Sequence, residues 1–444
     1  MPKLNKETEM KLTCVVLMLL AGLNSGPVSA QSGGIDSITV EQAVGLTLKN
    51  HPAIRQAEYG VSASGARVEV TRSDRYPDVS VDGDYLRIGP VPQFDLSGSG
   101  PLELAPHNNY DFHVGLRQTL YDFGKTDAAI HLEETSRQTA VDRLDVIKFN
   151  LAYQTISVFN NIMIMHQRIA VLDEQLQTLN QHLDMSVKMI RAGTATDFDT
   201  LTIQVRIAVV RSDRIDALHA LETQEIMFRQ LTGLAPDAPI RLRGNFASDK
   251  MPLSPDSLTT AATKQRPELI ISRDAETSAA AQSHLVSLGD KPLLALNAAT
   301  GFKNGFEPNL NTWRGNYAAG FELRIPVFNG QKTKHRGVEA DANLNSARAH
   351  TGDLERQILS EVRDALAGVN SNLEKITSTE TQVRQAEQAV SMARVRYSAG
   401  VITNLDLLDA ETTLSQTKLI RLRAFYDYTV SLNTLDRATG KRVW

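Results

Sequence analysis

The sequence predicts a mainly helical chain with a smaller β component, built as two tandem copies of one unit. Three observations predict it. The same landmarks recur at an almost constant spacing. Each copy contains two segments that alternate apolar and polar residues. Each pair of segments is followed by a very long helical pattern that ends at glycine.

The spacing comes first, because a missed repeat misassigns the whole fold. Thr119-Leu-Tyr-Asp-Phe-Gly124 resembles Pro326-Val-Phe-Asn-Gly330, and 326 − 119 = 207. Ala192-Gly193 matches Ala399-Gly400, and Leu231-Thr-Gly233 matches Ala438-Thr-Gly440, both again at 207. Upstream, His51-Pro52 matches Arg266-Pro267 and Tyr76-Pro77 matches Lys291-Pro292, both at 215. The second copy is therefore 215 − 207 = 8 residues shorter, all within the segment matching positions 77 to 119. Length variation confined to one segment marks a loop. The organisation read from this is a signal segment at 1–30, a first repeat at 31–234, a connector at 235–256 and a second repeat at 257–444.

The start of the chain reads as a secretory signal. Lys11 precedes an apolar run, Leu12 to Leu23, and Val28-Ser29-Ala30 supplies a small-residue cleavage site. Met10-Lys11 makes a better start than Met1. Cleavage after Ala30 removes three lysines and two acids, so the charge of −4 becomes −4 − 1 = −5. It also removes Cys14, the only cysteine, so the fold must hold by packing alone. Cys14 precedes most of the apolar run, which does not suit a lipid-attachment site.

Within each repeat, short helices come first: Val40 to Lys49, then one opened by Pro52, whose missing N–H costs nothing at that position. Two strands follow. Val79, Val81 and Tyr85 share a face opposite Asp78, Ser80, Asp82 and Asp84. Tyr110, Phe112, Val114 and Leu116 alternate with Asp111, His113, Gly115 and Arg117. The second repeat repeats the pattern with Leu294, Leu296 and Ala298, then Tyr317, Phe321, Leu323 and Ile325. Gly89 to Asn108, rich in Gly, Pro and Ser, is expected to be an exposed loop. From Lys125 to Ile190 there is neither proline nor glycine, and a seam runs from Val158 to Ile190 in alternating steps of four and three. The second repeat keeps that seam from Val362 through Leu366, Val369, Leu373 and Ile376. It then meets Glu380 and resumes at Val383 and Ala386, a break expected to overwind the coil. Each rod of about 100 Å stops at glycine, and a return helix of roughly 35 residues follows.

Four strands cannot close a barrel, and open edges are not tolerated in lipid. Pooling of strands between copies, or a periplasmic helical protein with two small hairpins, are the alternatives. No stretch of about 18 apolar residues occurs, so no membrane-spanning helix is expected. The net charge argues against nucleic acid.

This order, written twice, resembles the TolC family of outer-membrane efflux and secretion channels over the whole chain beyond the signal. The resemblance rests most on Leu323-Arg-Ile-Pro-Val-Phe-Asn-Gly330, Leu120-Tyr-Asp-Phe-Gly124 and Tyr397-Ser-Ala-Gly-Val-Ile-Thr-Asn-Leu-Asp-Leu-Leu-Asp409. It implies a homotrimer: four strands per chain in one shared 12-stranded transmembrane barrel, continued by a coiled-coil helical tunnel through the periplasm. It implies outer-membrane lipid around the barrel, and a periplasmic adaptor and an inner-membrane transporter as partners. The absence of a lipid-attachment site leans towards type I secretion or service to several pumps.

The tip after Gly400 carries the candidate site. Asp406 and Asp409 stand three apart on one helix face, so a trimer would stack two rings of carboxylates, which favour cations. By resemblance they match the aspartates of the family's periplasmic constriction. An aspartate near a helix N-terminus is also simply a favourable dipole partner. Asp199 is the first-repeat counterpart of Asp406, since 199 + 207 = 406. By resemblance Tyr397 holds the closed tip through a hydrogen bond to the acid at Asp199; the other reading is a seam residue. Gly193 and Gly400 are the tip turns. Ile402 stands where TolC has an arginine, so the resemblance supplies no charged lock there.

Tyr110, Tyr121, Trp313 and Tyr317 near strand ends suit either an interfacial belt or ordinary packing. Nucleophile-elbow, P-loop, dinucleotide and zinc-protease motifs are all missing, no cofactor is expected, and the ten histidines read as residues of solvated helix faces. The expected function is an exit duct without enzymatic activity; the alternative is a periplasmic coiled-coil scaffold without a pore. Fractionation discriminates them: a duct resists salt extraction from outer membranes, whereas a scaffold leaves in the soluble periplasmic fraction.

Overall fold

The computed structural model describes residues 37–96, 100–246 and 254–444. The expected signal at 1–30 and part of the connector, 247–253, lie outside them. The first repeat runs α1 (Val40–Asn50), α2 (Pro52–Ser73), β1 (Asp78–Arg87), β2 (Gln93–Leu96), β3 (Gly100–Glu103), β4 (Asn108–Tyr121), α3 (Lys125–Arg191) and α4 (Asp197–Thr232). The second runs α5 (Pro255–Gln265), α6 (Pro267–Ser287), β5 (Leu293–Lys303), β6 (Arg314–Arg324), α7 (Lys332–Ser398) and α8 (Asn404–Ala438). Both α3 and α7 contain 67 residues and start 332 − 125 = 207 apart. The expected bare loop at 89–108 instead carries the β2–β3 hairpin, which pairs only with itself.

The four long strands form one antiparallel sheet in the order β1-β4-β5-β6. The register sets Val79 opposite Leu116, Val81 opposite Val114 and Gly83 opposite Phe112. It continues with Leu116 opposite Ala298 and Phe112 opposite Phe302, then Leu296 opposite Phe321 and Leu294 opposite Leu323. Because side chains alternate, this puts every apolar set named from the sequence on one face. The other face carries Asp78, Ser80, Asp82, Arg117, Asn297 and Arg324. The apolar face is left uncovered: Val79, Val81, Tyr317, Phe321 and Leu323 are all exposed, Tyr317 at 85%. An apolar surface of this extent is the mark of a missing partner or of lipid. At one end Tyr110 stacks between Tyr85 (5.1 Å) and Trp313 (5.5 Å), and at the other Tyr121 meets Phe123 at 4.7 Å.

The helices beside the sheet repeat its order: α2 packs on α3, α3 on α6 and α6 on α7. Further along the rods, α4 packs on α3, α3 on α8 and α8 on α7. The core is accordingly a string of clusters rather than one globule. One joins Leu269, Ile358, Val362, Val369 and Ile376 to Tyr428 and Leu435; another joins Leu172, Leu179, Ile203, Ile207 and Val210 to Leu408 of the second repeat.

The break expected at Glu380 does not occur. Ile358, Val362, Ala365, Val369, Ile376, Thr379, Val383, Ala386, Val390 and Tyr397 are buried, and with half-buried Asn372 and Ala393 they make one uninterrupted four–three series. Thr379, not Glu380, is the inward residue, and Leu366 and Leu373 pack at the edge of the core. A threonine is tolerated there because its hydroxyl donates to the carbonyls of Lys375 (2.9 Å) and Ile376 (3.0 Å), leaving no unmet polar group. Trp444 lies against Phe149 of α3 (6.3 Å between rings), with the Arg442 guanidinium over it at 5.8 Å, while Tyr153 donates to the Lys441 carbonyl at 2.9 Å. The tail thus ties the second repeat to the first.

Gly301 marks the tightest place in the sheet. A Cβ there would stand 2.0 Å from the Phe112 carbonyl oxygen, whereas one at Gly320 meets nothing within 4 Å. Gly301→Ala is expected to push β5 off β4 and abolish sheet folding, while Gly320→Ala folds like the parent. Circular dichroism and heat-dependent gel mobility of both variants measure this; normal folding of Gly301→Ala contradicts it.

Candidate gate at the helical tip

Both rods turn by the same backbone device. Gly193 has φ +77° and Gly400 φ +71°, the left-handed region open to glycine. Gly193 N donates to Ile190 O at 2.9 Å and Thr194 N to Met189 O at 2.9 Å. Gly400 N donates to Tyr397 O and Val401 N to Arg396 O, each at 2.9 Å. A Cβ at either glycine would touch nothing within 4 Å, so it is the dihedral and not space that demands glycine. Any other residue there costs about 1–2 kcal/mol.

Both return helices then begin with a capping box. In α8 the Asp406 Oδ2 accepts from Thr403 N (2.8 Å) and Thr403 Oγ1 (2.7 Å), and Asp406 N donates back to Thr403 Oγ1 at 3.2 Å. In α4 the Asp199 Oδ2 accepts from Thr196 N (2.8 Å) and Thr196 Oγ1 (2.9 Å). The Thr403 hydroxyl, and after it the Thr403 backbone N–H, hold the Asp406 carboxyl below its ordinary value, so it stays ionised into acid. Asp406 and Asp409 are both exposed on the tip. The dipole reading of Asp406 is thus satisfied without removing the carboxylate from solvent.

Asp199 and Tyr397 come close without bonding. Burial pushes the Tyr397 hydroxyl up, the Ser186 hydroxyl pulls it back, and the Asp199 charge pushes it up again. The hydroxyl faces Ser186 rather than Asp199, which gives its oxygen to Thr196 instead. Tyr397 is 4% exposed and meets the His182 ring edge-on at 5.4 Å, the position of a seam residue.

Two links between the repeats escaped the sequence reading. Asn404 Nδ2 donates to the Asp199 carbonyl (3.3 Å) and to Thr202 Oγ1 (3.1 Å), so the cap of one return helix is tied to the first turn of the other. His182 is 1% exposed, not solvated as expected of the histidines; its Nδ1 lies 3.1 Å from Glu411 Oε2, and Arg394 reaches Glu411 Oε1 at 3.2 Å. The available signal was position: His182 stands three residues after the seam residue Leu179. Among the described residues no group of three or more His, Cys, Asp or Glu is arranged to hold a metal, and no helix is long and apolar enough to cross a membrane.

Comparison with known proteins agrees with this architecture. The family model described as outer membrane efflux protein matches residues 43–234 and 259–441, one match per repeat. The outer membrane protein TolC of Escherichia coli K12 is 22% identical over 437 residues, covering 96% of this chain and 86% of TolC. The alkaline protease secretion protein AprF of Pseudomonas aeruginosa is 25% identical over 332 residues, covering 72% of this chain and 68% of AprF. Among solved structures, the outer membrane protein VceC of Vibrio cholerae superposes with a TM-score of 0.77 at 18% identity, covering 90% of this chain and 96% of VceC. With both repeats matched, the chain belongs to the outer membrane efflux protein family.

Proposed function

We propose that three copies of this chain close a 12-stranded barrel in the outer membrane over a helical periplasmic tunnel, as the passive exit duct of a tripartite efflux or type I secretion system. One observation carries this reading: the sheet has an uncovered apolar face and two unpaired outer strands, β1 and β6. In lipid the outward side chains are at home, but the edge N–H and C=O groups are not. Three sheets joined β6 to β1 satisfy every edge. The helices follow suit, because α2 and α7 end the same row as β1 and β6. The polar sheet face then lines the bore, and the tapered end carries the Asp406 and Asp409 rings. An adaptor and an inner-membrane transporter complete the path.

Relatives favour export, with cargo set by the pump. AprF and the proteases secretion protein PrtF of Dickeya chrysanthemi are named for protease secretion, and the cation efflux system protein CusC of Escherichia coli K12 for cations. In this reading Gly193 and Gly400 form the tip turns, Asp406 and Asp409 set selectivity, and Tyr397 holds the closed tip by packing, with Asp199 acting on it through charge rather than a bond.

The Asp406→Ala/Asp409→Ala double variant is expected to lose cation preference and divalent block in planar bilayers, its permeability ratio falling towards unity. Unchanged currents defeat the assignment. Asp406 adds a pH test. A depressed carboxyl contributes its charge above the ordinary value of 3.8 and loses it only as pH falls through the lower folded value. Cation preference should therefore persist at pH 4. Thr403→Ala removes the stabilising hydroxyl and should move the loss of preference to higher pH, measured by reversal potential; an unmoved profile contradicts the role given to Thr403.

A further inference from the structure

At the loop end of the sheet, one cross-strand row is charged on all four strands. Asp84 of β1 pairs with Asp111 of β4, Asp111 with Lys303 of β5, and Lys303 with Arg314 of β6. Alternation puts the four on the polar face, one residue along from the paired Tyr85 and Tyr110 of the apolar face. Lys303 ends β5 and Arg314 begins β6, so the row lies at the end of the sheet away from the helices. Among the described strands no other row of the polar face is so charged. The next holds Asp82, His113, Gly301 and Asn316, and the one after it, from Ser80 to Ala318, holds no charge at all.

Local contacts orient these groups without removing their charge. Arg314 Nη1 donates to the Glu307 carbonyl oxygen at 2.9 Å, and Lys303 Nζ lies over the Phe306 ring, 5.6 Å from its centre. A carbonyl and a ring attract a cation and leave it charged. Asp111 meets His113 Nδ1. The imidazole crosses the bare backbone of Gly301, where a Cβ would stand 2.8 Å from its Cδ2, and reaches Asn316 Oδ1 at 2.5 Å. This bracket fixes Asp111 one strand away from Lys303.

Two magnitudes decide what such a row does. Neighbouring strands stand about 4.8 Å apart, and charges in water are screened over about 8 Å at physiological salt. Acid and base are thus closer to each other than the distance over which either is felt, and each row carries two of each sign. Strand tilt in a closed barrel runs every row obliquely. The three rows of a trimer therefore mix their signs around and along the bore. Rings of one sign are what make a pore discriminate between cations and anions.

We propose that Asp84, Asp111, Lys303 and Arg314 form a charge-balanced band in the outer mouth of the bore, in which Lys303 and Arg314 keep the mouth from acting as a cation filter. The band passes ions of either sign, and discrimination by sign is left to the tip. Without the two bases, three chains would leave 3 × 2 = 6 carboxylates in the mouth, as many as Asp406 and Asp409 supply at the tip.

The band rests on the reading of the sheet as the wall of a duct, so the experiment separates the two. Lys303 is replaced by cysteine in the Asp406→Ala/Asp409→Ala background, where the tip adds no sign; residues from 31 onward contain no other cysteine. The purified full-length oligomer is placed in planar bilayers. Its reversal potential in a potassium chloride gradient gives the cation-to-anion permeability ratio before and after a thiol reagent. A methanethiosulfonate bearing a sulfonate should raise the ratio several-fold above that of the same background with Lys303 intact. One bearing an ammonium restores the charge and should return the ratio to that level. Both arms share one folded protein and one labelled position, so a merely structural role for Lys303 would not tell the reagents apart. Lys303→Gln/Arg314→Gln needs no labelling and should raise the ratio as the sulfonate does, whereas Asp84→Asn should lower it. A conducting channel whose ratio ignores both the charge of the reagent and the double variant overturns the band and leaves the duct standing. An oligomer that passes no current in any form refutes the duct, and the band with it.

Discussion

A backbone amide in hydrocarbon must have a partner, and the described residues supply four long strands with which to find one. The cost of each unmet group is several kcal/mol, and β1 and β6 each present a full row of them. Side-chain chemistry cannot resolve this, because the outward side chains are already suited to lipid. Only another strand can, and the nearest complementary strand belongs to another copy. The family relationship and the open-ended row of helices meet at that requirement. Once copies are joined edge to edge, the polar face has nowhere to point but inward, and a water-filled bore follows from the alternation of side chains.

The two repeats share their architecture but divide the labour at the tip. Glycine turns and threonine–aspartate caps are duplicated, residue for residue, since every helix end has the same orphan groups to satisfy. The interlocking contacts are not duplicated. Asn404 bonds across to Asp199, while His182 reaches Glu411 and packs on Tyr397. The ends are alike, and the contacts that join them are particular to one repeat or the other.

Much of the fold was legible because it is periodic. The strand faces followed from alternation in Val79, Val81 and Tyr85, and the rods from the absence of breakers between Lys125 and Ile190. The glycine turns were legible because few residues accept positive φ. What stayed hidden depends on which way a side chain points when two choices are nearly equal. Leu366 and Leu373 are more apolar than Ala365 and Asn372, so the sequence pattern followed the frame that leads to Glu380; the buried frame leads to Thr379, whose hydroxyl bonds to its own helix. His182 looked like a surface residue because its partner, Glu411, is 229 residues away. The β2–β3 hairpin hid in a loop rich in glycine and proline. At the tip the glycine turns were legible and the bonding was not: Asp406 and Asp199 cap their helices, and Tyr397 packs as a seam residue.

The central claim is that β1 of one copy pairs with β6 of the next. Within one chain these strands are separated by β4 and β5, about 14 Å apart at the usual strand spacing, too far for a disulfide. Val81→Cys can be combined in turn with Gly315→Cys, Tyr317→Cys, Ala319→Cys or Phe321→Cys, all on the same sheet face. Oxidation in outer membranes should give covalent species of two and three chains and none larger, strongest at one β6 position. Monomer bands alone across the whole series would contradict the account.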